Sequence, residues 1–138
     1  GLLVMQSLVR DLNRLYRDTP ALHRKDAEPD GFQWIATDPA QSTFAWIRRG
    51  DRGDPPVVVA CNMTPVPRPH FRIGVPQPGP WREAINTDAA LYGGSGMGNL
   101  GGVTAVARPQ DGQPASMAIA LPPLSVVIFV AGENGEDG

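Results

Sequence analysis

Residues 57–68 constrain the fold of this chain more than any other stretch. They read Val57-Val58-Val59-Ala60-Cys61-Asn62-Met63-Thr64-Pro65-Val66-Pro67-Arg68. Small or β-branched apolar residues run unbroken from Val57 to Cys61. Branched side chains have little χ1 freedom and fit an extended, pleated backbone. A short apolar run closed by turn signals predicts a strand buried on both faces. Asn62 and Thr64 favour a turn, and Pro65 and Pro67 lack the N–H that a ladder needs. The run therefore belongs in the interior of a sheet, with other strands on both sides of it.

The chain leading to this strand begins helical. Met5, Leu8, Val9, Leu12, Leu15 and Tyr16 recur at spacings that form one apolar stripe on a helix. Arg10, Asp11, Asn13, Arg14, Arg17 and Asp18 cover the other side. Thr19 and Pro20 suit the cap and first position of a following short turn. Leu2, Leu3, Val4 and Met5 are apolar in succession, so no single sheet covers them all. Residues 2–9 are expected to be partly exposed.

After a turn at Glu28-Pro29-Asp30-Gly31 the period changes from about 3.6 to 2. Strand patterns occupy residues 32–36, 42–49, 57–61, 71–75, 81–86, 104–107, 116–121 and 125–130, the last expected to close the sheet. Short strands separated by Gly, Pro and Asp turns predict an antiparallel β-sandwich. The fold class is thus all-β, about eight short strands preceded by one amphipathic α-helix. The 16 Gly and 15 Pro fit a chain of many turns. Residues 132–138 are acidic and glycine-rich and read as a flexible tail.

Charge and composition exclude several functions. A net charge of -2 provides no basic stripe for nucleic acid. No apolar run approaches the roughly 18 residues of a membrane helix. The first residues lack a charged leader region, and a single cysteine permits no internal disulfide. Both suit a reducing, cytoplasmic compartment.

Motifs that suggest chemistry are weak here. Gly96-Met97-Gly98-Asn99-Leu100-Gly101 matches a dinucleotide fingerprint in letters only. That fingerprint needs a strand before it and a helix after it, and extended-chain residues follow instead. Residues 93–102 are read as a flexible surface loop that binds no nucleotide. The repeated tripeptides Arg49-Gly50-Asp51 and Arg52-Gly53-Asp54 are read as hairpin-loop chemistry. Asn62-Met63-Thr64 is a formal glycosylation acceptor at the end of a buried strand, and is read as structural. Cys61 is read as a core residue. His23 and His70 have no metal-ligand spacing to other donors. The acids fall mostly in turns, and no paired carboxylates for glycoside chemistry are evident. Catalytic, cofactor-binding and metal-binding residues are therefore read as none. Trp34, Trp46 and Trp81 are the remaining candidates. On strands they are read as core, with stacking on sugar rings as the alternative.

A family resemblance goes further. The stretch from Leu8 through Arg10, Leu12, Tyr16 and Pro20 to Leu22 resembles the end of the catalytic domain of glycogen (1,4-α-glucan) branching enzymes. Cys61-Asn62-Met63-Thr64-Pro65-Val66-Pro67-Arg68 resembles their C-terminal domain. So do Trp81-Arg82-Glu83-Ala84-Ile85-Asn86-Thr87-Asp88, the segment from Tyr92 to Asn99, Pro114-Ala115-Ser116 and Leu121-Pro122-Pro123-Leu124. The resemblance implies an enzyme that cleaves an α-1,4 link, holds the glucan on an aspartate and transfers it to a 6-hydroxyl. It implies no metal or organic cofactor for that step. The catalytic acids of the family lie on a (β/α)8 barrel upstream, and its catalytic motifs are not found here. The resemblance thus divides the chain into residues 1–27, the last barrel helix and its exit, residues 28–131, the all-β C-terminal domain, and the tail 132–138. It implies the barrel as partner within one polypeptide, and glycogen or α-glucan as a partner through the full enzyme. Two functions stay open: a structural C-terminal domain, or a self-standing glucan-binding module using Trp34, Trp46 or Trp81. An exposed tryptophan pair on one face would favour the second, and tryptophans buried between sheets the first.

Overall fold

The computed structural model describes residues 2–22, 31–38, 40–88, 94 and 96–132. The tail beyond Gly132, His23 and the turn at 28–30 lie outside the described residues. Helix α1 spans Leu2–Asp18 and is followed by a 3-10 turn, Pro20–Leu22. Strands follow as β1 (Phe32–Asp38), β2 (Thr43–Arg48), β3 (Val57–Asn62), β4 (Arg68–Val75), β5 (Gly79–Asn86), β6 (Gly102–Ala105), β7 (Ala115–Leu121) and β8 (Ser125–Ala131). All eight expected strands are present.

The strands form two antiparallel sheets. One has six strands in the order β1-β2-β3-β8-β5-β6, and β4 pairs with β7 to form the other. All residues of β3 are buried, as the apolar run requires. Its interior position is flanked by β2 and β8. Strand β8 does not close the sheet: it lies between β3 and β5. The reason is its composition, which is apolar on both faces like that of β3 and so needs neighbours and cover on both sides. Strand β4 begins at Arg68, ahead of the expected start, with a bulge between Arg68 and Phe71 that accommodates Pro69. Strand β6 ends at Ala105, so Val106 to Arg108 lie past it.

Two apolar layers result. Between the sheets, Ala45, Ile47, Val58, Ala60, Val127, Phe129 and Trp81 of the large sheet pack against Ile73, Val75, Met117, Ile119 and Leu121 of the small one. On the opposite face of the large sheet, Val57, Val59, Cys61, Ile85, Ile128 and Val130 receive Leu8, Leu12 and Leu15 of α1. The helix therefore presents an i, i+4, i+7 row to the sheet. Val9 and Tyr16 stand half exposed on its outer side. Of the stretch 2–9, Gln6 and Val9 are exposed and Ser7 and Leu8 half-buried; the side chains of Leu2 to Met5 lie outside the described residues. Thr19 is buried, and its carbonyl accepts from Leu22 N–H at 2.9 Å, which closes the short turn.

Candidate functional site

The large sheet has an uncovered region beside α1. Phe32 and Trp34 alternate on β1, and Phe44 and Trp46 alternate on β2 with the same spacing. The antiparallel register sets Trp34 directly opposite Trp46. Cross-strand neighbours on one face stand about 5 Å apart. The four rings accordingly form one cluster. Trp34 meets Trp46 edge-on with centroids 5.5 Å apart, and Phe32 meets Trp34 edge-on at 5.2 Å. Phe32 lies over Trp46 at 6.1 Å, and Phe44 is 6.4 Å from Trp34.

Ile35 and the residues Ala45 and Ile47 point into the core between the sheets. The rings between them in sequence therefore point to the other face. There α1 covers β3, β8 and β5, and β1 is the edge strand beyond its reach. Trp34 is 53 % exposed, and Phe32 also reaches solvent. Trp46 and Phe44 are half-buried against the layer under the helix. On the other face of β1, the Arg49 guanidinium donates to the Gln33 side-chain oxygen at 2.7 Å.

The expectation that all three tryptophans are core holds only for Trp81, which is 1 % exposed and donates its indole N–H to the Gln77 carbonyl. Trp34 and Trp46 form an exposed-to-half-buried pair on one face instead. Strand pattern alone says which residues share a face, not which face the helix covers. Phe32 and Phe44 belong to the same patch and carried a signal in the sequence, the twin Phe-x-Trp spacings on consecutive strands.

The other motifs fall into structural roles. Asn62 is wholly buried, and both ends of its amide are engaged. Its Nδ2 donates to the Val66 carbonyl at 2.8 Å, and its Oδ1 accepts from Thr64 N–H and Thr64 Oγ1. That geometry leaves no amide free for a glycan in the folded chain. Cys61 is buried and unbridged, and burial raises its thiol pKa above the usual value. His70 is exposed on β4. Gly96 and Gly101 of the glycine stretch adopt positive φ, and β6 rather than a helix follows them. The described part of that loop is tied down, in contrast to the free loop expected from composition. Asn99 donates to Glu83 Oε2 at 2.7 Å and to the Ala120 carbonyl at 3.0 Å, while its Oδ1 accepts from Ala120 N–H. The second tripeptide repeat closes a turn in which Asp54 accepts from Asp51 N–H at 2.7 Å. Among the described residues, no three His, Cys, Asp or Glu side chains converge as a metal site would need.

An antiparallel two-sheet domain with a helix on its outer face is the class that this architecture defines. Residues 34–132 match the family model of the alpha amylase C-terminal all-beta domain, and the chain belongs to that family. At the level of individual proteins, the chain is similar to 1,4-alpha-glucan branching enzymes. It is 62% identical over 125 residues to that of Jannaschia sp. (strain CCS1), a match covering 91% of this chain and 18% of the relative. It is 56% identical over 127 residues to that of Cupriavidus necator, covering 91% of this chain and 17% of the relative. The enzyme of Pseudomonas putida is 54% identical over 126 residues, with 91% and 17% covered. The chain thus spans less than a fifth of the length of the curated relatives it matches.

Proposed function

We propose that the chain is the C-terminal all-β domain of a 1,4-α-glucan branching enzyme and serves there as a structural domain without chemistry of its own. The observation that carries this reading is the identity of 62% across 125 residues to a branching enzyme. In this reading residues 1–27 are the last helix of the catalytic barrel and its exit, and 28–131 are the C-terminal domain. The longer polypeptide transfers α-1,4 glucan segments to 6-hydroxyls in glycogen synthesis, in the cytoplasm, with the catalytic acids supplied by the barrel. No helix among the described residues is long and apolar enough to cross a membrane, and Cys61 is an unbridged thiol, both compatible with that location. The test is assembly: amylose incubated with the longer polypeptide gains branches, and amylose incubated with this chain alone does not.

A second reading is favoured by one observation, the exposure of Trp34 beside Trp46 on a single face. Aromatic rings offer flat apolar surface at little entropic cost. In this reading the ring cluster contacts α-glucan while the rest of the domain stays structural. Titrating the chain with maltoheptaose and following tryptophan fluorescence tests it. Saturable quenching that is lost in Trp34→Ala supports glucan contact, and a flat titration removes it.

A further inference from the structure

The end of the large sheet where β3 finishes and β8 begins carries a second apolar patch, distinct from the ring cluster. Met63, Val66 and Leu124 are each at least half exposed there. They sit on two turns, 63–67 and 122–124, that are joined by a hydrogen bond from Leu124 N–H to the Thr64 carbonyl at 2.8 Å. Both turns are rigid: Pro65 and Pro67 fix one, Pro122 and Pro123 the other, and the buried Asn62 amide clamps the first internally. Met63 N–H also donates to the Ser42 carbonyl at 3.0 Å. Leu124 holds a left-handed backbone, φ 49°, while its side chain stands in water. A branched residue held in that conformation is strained.

The patch has the features of a preorganised protein contact. It has aliphatic and thioether side chains and no aromatic ring, so it offers a sugar little to stack on. Arg68 lies at its rim, opposite Leu121, and its Nε is buried without a hydrogen-bond partner among the described residues. That nitrogen is closed off by this chain itself, so the patch offers a partner its apolar side chains alone. The path of α1 points the same way. The 3-10 turn that follows it lies beside Gly50 and Arg48, where the Leu22 carbonyl accepts from Arg48, and these are at the opposite end of β2 and β3 from Met63. Leu15, Leu12 and Leu8 then step back along the sheet. The helix therefore starts toward the Met63 end.

We propose that Met63, Val66 and Leu124 are the surface on which the body preceding α1 in the longer polypeptide seats, through an apolar area of its own. This rests on the reading of the chain as one domain of a branching enzyme, whose relatives have more than four-fifths of their length outside the matched stretch.

Hydroxyl-radical footprinting reads the surface directly, because methionine oxidises readily where it is exposed. Met63 is expected to label at least fivefold more slowly in the longer polypeptide than in this chain alone. Leu100, fully exposed on the glycine loop, serves as the control for dose. Equal labelling of Met63 in both overturns the proposal. So does protection that rises with the concentration of this chain by itself, which would make a second copy the occupant. A double variant, Val66→Asp with Leu124→Asp, should restore fast labelling in the longer polypeptide and leave the melting temperature of the isolated chain within a few degrees. A large fall in that temperature would place the two side chains in the domain's own core and overturn the proposal. A branching assay on the same sample separates the two readings. Active polypeptide with unprotected Met63 defeats the surface alone, and inactive polypeptide with protected Met63 defeats the function alone.

Discussion

Asn62 shows how one side chain can hold a loop. Its amide replaces the backbone pairing that Pro65 and Pro67 cannot supply, and it does so in a site closed to water. Asn62→Ala leaves the Val66 carbonyl and the Thr64 N–H without partners, so it should cost about 2–3 kcal/mol in urea unfolding. Asn62→Asp keeps the acceptor but sets a buried carboxylate oxygen against the Val66 carbonyl, and should cost at least as much. This role was legible as far as a turn after a buried strand, because Asn favours that position. The buried clamp was not, since it needs the return of Val66 toward the strand end. Cys61 gives a pH-dependent case. Burial favours its neutral thiol, so the folded pKa lies above the unfolded one. Its contribution to stability is fully present below the unfolded pKa and is lost as pH rises through the folded value. Alkylation of Cys61 in the folded chain at pH 8 should therefore be many times slower than in urea, measured by mass spectrometry.

Among the elements, strand positions were legible and strand neighbours were not. Period-2 alternation marks β2 and β7 directly, and continuous apolar runs mark β3 and β8. Order depends on contacts between segments far apart in sequence. β3 and β8 are more than sixty residues apart, yet they pair along their whole length from Val57 with Val130 to Asn62 with Ser125. The chain between them leaves for the β4–β7 pair and returns, and no local signal records that excursion. The ring cluster follows the same logic. Phe-x-Trp spacing places the rings on one face, and the reach of α1 decides their exposure. Trp81→Ala removes a core side chain and should cost about 3–5 kcal/mol by thermal or urea unfolding. Trp34→Ala, on the open edge strand, should cost about 1 kcal/mol or less. Similar costs at both positions would mean that the edge of the sheet is covered. In β4, a Cβ added at Gly74 would meet the Gln110 carbonyl, which is backbone and cannot swing aside. Gly74→Ala should cost about 1–3 kcal/mol in the same measurement, the penalty of overpacking.

At the scale of the whole molecule, a small sheet, a large sheet and a helix enclose two apolar layers, and the chemistry-bearing side chains are spent on holding loops. Glu83 and Asn99 fasten the glycine stretch to β5 and β7, Asp111 accepts from Gly74 N–H, and Asn62 fastens the β3 turn. Large apolar side chains also remain at the surface: the rings on β1 and β2, Val9 and Tyr16 on the helix, and the patch at Met63 and Leu124. Patches of that kind mark contact with something else. On the proposed reading, a domain built in this way supports a reaction carried by another body. That reaction is glucan branching, and this chain does not perform it alone. The direct measurement compares the longer polypeptide and the purified chain on amylose, with new α-1,6 links counted by enzymatic debranching and chain-length analysis. Branches should appear with the longer polypeptide and stay at the level of a heat-killed control with the chain. Branch formation that scales with the isolated chain, or its absence from the longer polypeptide, would contradict the account.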